Sequence, residues 1–135
     1  MSSFVSHTTV DCADAYALSR WWQAVLDYEE DPDDRNAPGH EECLIRSRDG
    51  RHHLLFIEVP EPKQVKNRVH LDLRPREGSR DEELARLLAH GATTVDDRRD
   101  PGGTGWVVLA DPEGNEFCIL RSEAEVAATR GPDAN

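Results

Sequence analysis

Residues 66–75, KNRVHLDLRP, combine the alternation of a β-strand with side chains that can do chemistry. Every second residue from Val69 onward is apolar, so His70 would share the other face of the strand with Arg68, Asp72 and Arg74. An imidazole in such surroundings can bind a metal ion or move a proton. Either arginine could clamp a substrate carboxylate. The alternatives are a His70–Asp72 hydrogen bond and arginine ion pairs at the rim of the sheet.

Three further histidines lie in two predicted strands of the first half of the chain. His7 belongs to residues 4–11, FVSHTTVD, which are β-branched and aromatic enough to form a strand. In residues 51–59, alternation places His52 on one face with Glu58 and places His53 on the other. Glu58 is therefore an alternative acid or base.

Composition limits the partners that the protein can bind. The chain has 135 residues, a formal net charge of −11 and a pI of about 4.9, so nucleic acid and anionic membrane surfaces are not expected partners. Its three cysteines form no CxxC pair, and neither a signal peptide nor a long apolar run is evident. We therefore expect a cytoplasmic protein that binds a small molecule.

The first half of the chain predicts a strand, a helix, a short strand near the start of residues 28–39, and a hairpin. Apolar residues recur at helical spacing over residues 13–28, with Asp14 as a plausible N-cap. Trp22 on this helix is predicted to pack on a sheet, and ligand stacking is its functional alternative. Residues 41–47 and 51–59 flank an Asp-Gly turn and predict a hairpin.

The second half predicts the same order of elements. After the strand at 66–75, Ser79 and Glu82 form a capping-box pattern at the start of a helix. A short strand at 93–97 follows, and the glycine-rich residues 100–105 predict a turn or a mobile lid. Residues 106–110 and 115–121 predict a second hairpin, and 122–135 a tail with one helical turn.

The two halves match at a nearly constant offset. His7 and His70 are 63 residues apart, Leu18 and Leu84 are 66 apart, and His52 and Glu116 are 64 apart. Such a period indicates an internal repeat. The sequence therefore predicts two βαβββ modules, 4–59 and 67–121.

These modules, with NRVHLDL opening the second and DPEGNEFCIL closing it, resemble the vicinal-oxygen-chelate superfamily, and most closely its small glyoxalase-like proteins. The resemblance covers about residues 4–121. It implies an α+β domain over residues 1–121, in which the two modules form an eight-stranded, cup-shaped mixed sheet with the helices outside. It also implies a homodimer and a metal or ligand site inside the cup.

The resemblance implies a metal site formed by four residues: His7, His52, His70 and Glu116. The repeat selects the same four. Three imidazoles and one carboxylate suit Fe(II), Mn(II), Co(II), Ni(II) or Zn(II), and His7, His70 and Glu116 alone would make a two-histidine-one-carboxylate face. Glu116 is the expected catalytic group, and the expected substrate contacts are Arg68, Arg74, Glu58 and Trp22.

The function that this resemblance implies is metal-dependent lyase, isomerase or dioxygenase chemistry on a small oxygen-rich molecule. His52 stands where glyoxalase I would carry a glutamate, which argues against that particular isomerase. Ring-cleaving dioxygenases usually have longer chains and additional histidine or tyrosine, and no phosphonate-binding cluster of a fosfomycin-inactivating enzyme is evident. The rival hypotheses are a metal-free protein of the bleomycin-resistance type that sequesters a drug-like or aromatic ligand, and a regulatory domain with a vestigial cup.

Overall fold

A computed structural model describes residues 1–129. Within them, seven strands form one three-stranded and one four-stranded sheet, accompanied by three helices. The chain divides into two compact units between Lys63 and Gln64. This confirms the mixed α+β class, but the strands belong to two separate sheets and number seven, not eight.

The first unit is a three-stranded sheet with one helix against it. Its elements are β1 (Thr8–Cys12), α1 (Ala15–Leu26), β2 (Glu42–Arg46) and β3 (His53–Glu58), with sheet order β1-β3-β2. β3 pairs parallel to β1 and antiparallel to β2. Asp14 caps α1 by accepting from the Ala17 amide at 3.0 Å, as predicted. The sheet face toward α1 is fully buried at Ile45, Leu54 and Phe56.

The second unit repeats this plan with one more strand. Its elements are β4 (Leu71–Leu73), α2 (Arg80–Ala89), β5 (Thr93–Asp97), β6 (Val107–Ala110), β7 (Glu116–Ile119) and α3 (Glu123–Thr129). The sheet order is β4-β7-β6-β5, with β4 and β7 parallel. The predicted capping box of Ser79 and Glu82 opens α2. The predicted tail is helical at α3, and its residues 130–135 lie outside the described part.

The two units share a strand-pairing order, and their comparison shows where the first unit lacks a strand. In the second unit, β5 pairs antiparallel with the outer side of β6. At the corresponding place in the first unit, only Glu29 pairs with Arg46 of β2, as a single antiparallel bridge. The segment around Glu29 reads EEDPDD, whose proline and crowded carboxylates oppose a regular strand.

The strand predicted around His70 is shorter than expected, and the glycine-rich loop contains a turn, one of its two predicted alternatives. The strand expected at 66–75 is regular only over β4, because β7 offers it three paired residues, from Phe117 to Ile119. The glycine-rich loop at 100–105 is held in place, because the buried guanidinium of Arg80 donates to the carbonyls of Gly103, Thr104 and Gly105 at 2.9 to 3.3 Å. No helix within residues 1–129 has the length and apolar character needed to span a membrane.

Candidate functional site

The second unit carries a cavity of about 270 Å³ on the sheet face opposite α2. Alternation along β4, β6 and β7 decides which side chains reach it, because Phe117 and Ile119 turn to the buried core while their neighbours turn outward. The cavity is lined by Lys66, His70, Asp72, Trp106, Val108, Glu116, Cys118 and Leu120. Two of the four predicted metal ligands, His70 and Glu116, therefore line one cavity.

His70 stands just before β4 and is held by its neighbour on the same face. Its Nδ1 lies 3.2 Å from Oδ1 of Asp72. Asp72 is the register partner of Cys118 on the parallel strand β7. Donor atoms of His70, Asp72 and Cys118 all lie within 4.8 Å of one another. The cavity thus brings an imidazole, a carboxylate and a thiol together at one point.

Glu116 opens β7 and is positioned from two sides. The preceding loop is organised by the buried carboxylate of Asp111, which accepts from the Glu113 and Asn115 amides at 2.9 and 3.0 Å. The amide of Glu116 donates to Oδ1 of Asn67 at 3.2 Å. The DPEGN motif therefore fixes where the Glu116 carboxylate stands.

The Glu116 carboxylate already carries a positive partner. Its side chain is 14% exposed and forms an ion pair with the ammonium group of Lys66. A carboxylate this shielded from water favours a nearby cation. Lys66 supplies that charge from a flexible side chain that is 70% exposed, so a divalent ion or a ligand group could take its place.

Cys118 is buried and free. The pKa of its thiol is raised to about 11, mainly by burial and also by the charge of Asp72 and a hydrogen bond to it. Lys66 acts in the opposite direction. The thiol is therefore protonated at neutral pH unless a bound ion replaces the proton.

The donor set of this cavity fits a divalent transition metal. Imidazole nitrogen, carboxylate oxygen and thiol sulfur are the ligands that Zn(II) and its neighbours use in proteins. His70 and Glu116 would hold the ion that the fold implies, with Asp72 and Cys118 next to them. The arrangement could polarise an oxygen atom of a bound molecule.

The other two predicted ligands belong to the first unit. His7 is exposed immediately before β1, with Nδ1 at 3.0 Å from the Ser6 hydroxyl. His52 precedes β3 and is half-buried, with Nδ1 at 2.6 Å from the hydroxyl of Tyr28, a core residue just after α1. Burial lowers the pKa of His52, and the neighbouring His53 lowers it further.

The strand registers correct the match between His52 and Glu116. Thr8 pairs with Leu54 in the first unit, and Leu71 pairs with Phe117 in the second, so the structural offset between these strands is 63 residues. Glu116 directly precedes Phe117, and the residue that directly precedes Leu54 is His53. The expected counterpart, His52, is therefore wrong by one residue, and one residue changes the face of a strand.

Two predicted substrate contacts of the first unit have structural partners. Trp22 is buried against Trp21, with ring centroids 5.2 Å apart in an edge-on arrangement. The carboxylate of Glu58 accepts from the Ala15 amide at the start of α1, at 3.2 Å. The Glu58 contact joins the start of α1 to β3, and Trp22 lies in the core of the first unit. The substrate roles of both residues stay predictions.

The two predicted arginine clamps do not line the cavity of His70. Arg74 donates to the carbonyl of Arg121 at 2.6 Å and lines a different cavity of about 450 Å³ near the start of α2. Arg68 is exposed in the segment before β4. The basic group in the His70 cavity is Lys66.

Sequence reasoning did not single out Lys66, Asp72, Cys118 or Trp106 as site residues. Two of them carry a readable signal, because Asp72 follows His70 by two residues and Cys118 follows Glu116 by two, so each shares a strand face with a predicted ligand. Lys66 and Trp106 enter the cavity from segments outside the strands, where alternation gives no guidance.

The fold and this cavity define a domain of the glyoxalase-like class. Residues 7–120 match the family described as the Glyoxalase-like domain, and the chain belongs to that family. The resemblance to the vicinal-oxygen-chelate superfamily is thereby confirmed. No curated protein matches the chain.

Solved structures with the same fold include three whose chains are matched over 94% or more of their own length. The fosfomycin resistance protein FosX from Mesorhizobium loti is 18% identical, with TM-score 0.66 over 95% of this chain and 99% of that one. A mutant of Listeria monocytogenes FosX, in complex with Mn(II) and 1S,2S-dihydroxypropylphosphonic acid, is 20% identical, with TM-score 0.65 and coverage of 93% and 94%. A glyoxalase/bleomycin resistance protein/dioxygenase family enzyme from Burkholderia phytofirmans PsJN is 21% identical, with TM-score 0.62 and coverage of 84% and 94%.

Proposed function

We propose that the protein is a metal-dependent enzyme that performs lyase or isomerase chemistry on a small, oxygen-rich, anionic molecule. The observation that carries the proposal is the joint position of His70 and Glu116 in one cavity, with the shielded Glu116 carboxylate neutralised by Lys66. A carboxylate kept from water and held by a mobile cation is suited to exchange that cation for a metal ion.

A metal ion held by His70 and Glu116 would supply Lewis acid chemistry at a substrate oxygen. Once its partner carboxylate is occupied, Lys66 is free to pair with a substrate anion. Trp106, Val108 and Leu120 line the cavity with apolar surface, which excludes water from the reacting oxygens. The side chains of this cavity would thus position the substrate, pair with its negative charge and keep water away from its oxygen atoms.

Two relatives bear on the choice of chemistry. The Listeria FosX mutant binds Mn(II) with a dihydroxy phosphonate, and another structure of the same fold, at 21% identity and TM-score 0.58, is the oxidase ChaP-H2. The His70 cavity contains Lys66 for an anion, and its lining includes no tyrosine. This composition favours polarisation of an anionic substrate, and dioxygenase chemistry is the rival outcome.

The ligands from the first unit remain predictions. His7 was predicted together with His52, and the strand register adds His53 as a candidate in its place. A cup-shaped arrangement of the sheets, a homodimer and a cytoplasmic location likewise stay predictions that follow from the family resemblance and the composition.

Metal analysis of protein purified without a histidine tag tests the proposal. After reconstitution with Mn(II), Fe(II), Co(II), Ni(II) or Zn(II), we expect one ion per chain, and loss of bound Mn(II), which has little preference for sulfur, in Glu116→Gln. Glu113→Gln is the matched control, because Glu113 belongs to the same loop and does not line the cavity. His90→Ala, which changes a histidine at the end of α2, controls for His70→Ala.

A metal-free binding protein is the second candidate, favoured by the ion pair that already satisfies Glu116. Less than about a tenth of an equivalent of every metal after reconstitution would overturn the enzyme proposal. Saturable quenching of Trp106 fluorescence by an aromatic or anionic ligand, abolished in Trp106→Phe, would then support sequestration. Trp21 and Trp22 are buried in the first unit and serve as the unquenched background.

A further inference from the structure

We propose that His70, Asp72 and Cys118 form a binding site for a thiophilic divalent cation such as Zn(II). The site shares His70 with the proposed metal centre and otherwise uses different residues. It rests on the proposed function only through that shared histidine. Its sulfur ligand would give this cavity a metal preference unlike that of an oxygen–nitrogen site.

The donor atoms are already near the spacing that one ion requires. Ligand atoms around a tetrahedral ion with bonds of about 2.0–2.3 Å lie roughly 3.3–3.8 Å apart. The Nδ1 of His70 lies 3.2 Å from Oδ1 of Asp72, and all three donors fall within 4.8 Å of one another. Small side-chain rotations would complete the geometry.

The backbone fixes this proximity. Asp72 and Cys118 are Cα partners on the adjacent parallel strands β4 and β7, so their side chains emerge side by side. His70 precedes Asp72 by two residues and lies in the same cavity. Cys118 is also paired with Val108 of β6, which places it in the interior of the sheet. Strands hold ligands more rigidly than loops, and a pre-positioned site loses less free energy on binding.

The surroundings leave a path for an ion and room for a fourth ligand. Cys118 is buried, whereas the side chains of His70 and Asp72 are 44% and 51% exposed. An ion would enter from the solvent side and contact sulfur at the floor of the cavity. Glu116 lines the same cavity and adds negative charge near the ion, although its Lys66 partner partly offsets that charge.

Binding involves a proton exchange and no change of oxidation state. The sulfur–metal bond forms as the thiol of Cys118 releases its proton to solvent, so one proton leaves for each ion bound at sulfur. Thiolate favours Zn(II), Co(II) and Cd(II) over Mn(II) and Mg(II). Mn(II) should therefore bind without engaging Cys118.

Co(II) absorption spectroscopy on the full-length protein tests the site. Titration of the wild type should produce a sulfur-to-cobalt charge-transfer band in the near ultraviolet that saturates at one equivalent. Cys118→Ser should lose this band, and Asp72→Asn should keep it with an affinity at least about 10-fold weaker. Cys12→Ser is the matched control, because Cys12 is also a buried strand cysteine but belongs to the first unit.

The outcomes separate this site from the proposed metal centre. A band that persists in Glu116→Gln and disappears in Cys118→Ser supports the sulfur site, whether or not the proposed centre exists. Stoichiometric Co(II) binding without the band, lost in Glu116→Gln, overturns the sulfur site and leaves the proposed function standing. Absence of Co(II) binding overturns the sulfur site, whereas the proposed function is overturned only if none of the other metals binds. Circular dichroism of Cys118→Ser and the retained metal binding of Asp72→Asn guard against a folding defect.

Discussion

The β2–β3 and β6–β7 hairpins occupy the same place in the two units, yet they present different side chains. Residues 47–52 connect the first pair of strands, and residues 111–115 connect the second. The first loop is thus one residue longer. As a result, His52 turns toward Tyr28 and the helix-covered side, whereas Glu116 turns into the open cavity.

The loops also differ in how firmly they are built. In the second loop Asp111 is buried and accepts from two amides and from the Asn115 side chain. In the first loop Asp49 is exposed, accepting from the Ser47 hydroxyl and the Arg51 amide at 2.7 and 3.0 Å. Two similar units can therefore share their strand pairing while one loop positions a carboxylate that lines a cavity.

The largest expected effect concerns metal affinity. Glu116→Gln should weaken binding of Mn(II) more than about 100-fold, beyond the usual effect of residues that only orient a ligand. His52→Ala should leave this affinity within about twofold, because the His52 ring contacts the Tyr28 hydroxyl in the first unit. Isothermal titration calorimetry measures both. Equal losses in the two variants would contradict the different positions that the structure gives these residues.

The two loops should differ next in their contribution to stability. Asp111→Ala removes a buried acceptor of several hydrogen bonds and should lower the free energy of unfolding by about 3 kcal/mol. Asp49→Ala removes an exposed acceptor and should cost about 0.5–1 kcal/mol. Urea denaturation followed by tryptophan fluorescence provides both values. Equal losses would show that burial of Asp111 does not distinguish the loops.

The smallest expected effect is at the Tyr28–His52 contact. Tyr28→Phe should lower the free energy of unfolding by about 1 kcal/mol, because it removes one hydrogen bond.

The stability of the protein should also depend on the protonation of His52. Because the pKa of His52 is lowered by burial and by His53, the folded state binds a proton on this ring less readily than the unfolded chain does. The stability that His52 contributes is complete above its unfolded pKa of about 6.5 and is lost as the pH falls through the folded value.

NMR titration of the His52 ring checks this shift directly. We expect a midpoint below that of the same residue in the urea-unfolded protein. A midpoint at or above the unfolded value would contradict the buried position that the structure gives His52.

Local signals in the sequence predicted much of the fold. Strand β5 has the predicted bounds, Thr93–Asp97, and α1 and α2 begin at their predicted caps because Asp14 and Ser79 accept from amides inside the first turn. The order of elements could be predicted because each sequence signal occurs twice, once in each half of the chain. The short length of β4 could not be predicted, because it depends on how many residues the distant strand β7 offers for pairing.

The candidate site was predicted in part, for a related reason. Alternation placed His70 on the open face, and the repeat linked it to a residue near the start of β7. The offset that matched His52 with Glu116 came from the turn residues, while the offset of the strands is one residue smaller because the first loop is longer. A single inserted residue is invisible to composition but reverses every side chain that follows it.

The outer strand β5 affects how readily the protein aggregates. All five of its residues are exposed, and its pairing with β6 is interrupted by an irregularity between Thr94 and Asp96. An exposed edge strand can pair with a strand of another molecule, but the charges of Asp96 and Asp97 oppose such pairing. A hydrogen bond from Arg99 lowers the pKa of Asp97 to about 2, so this electrostatic guard against edge-to-edge aggregation persists in acid that neutralises ordinary carboxylates.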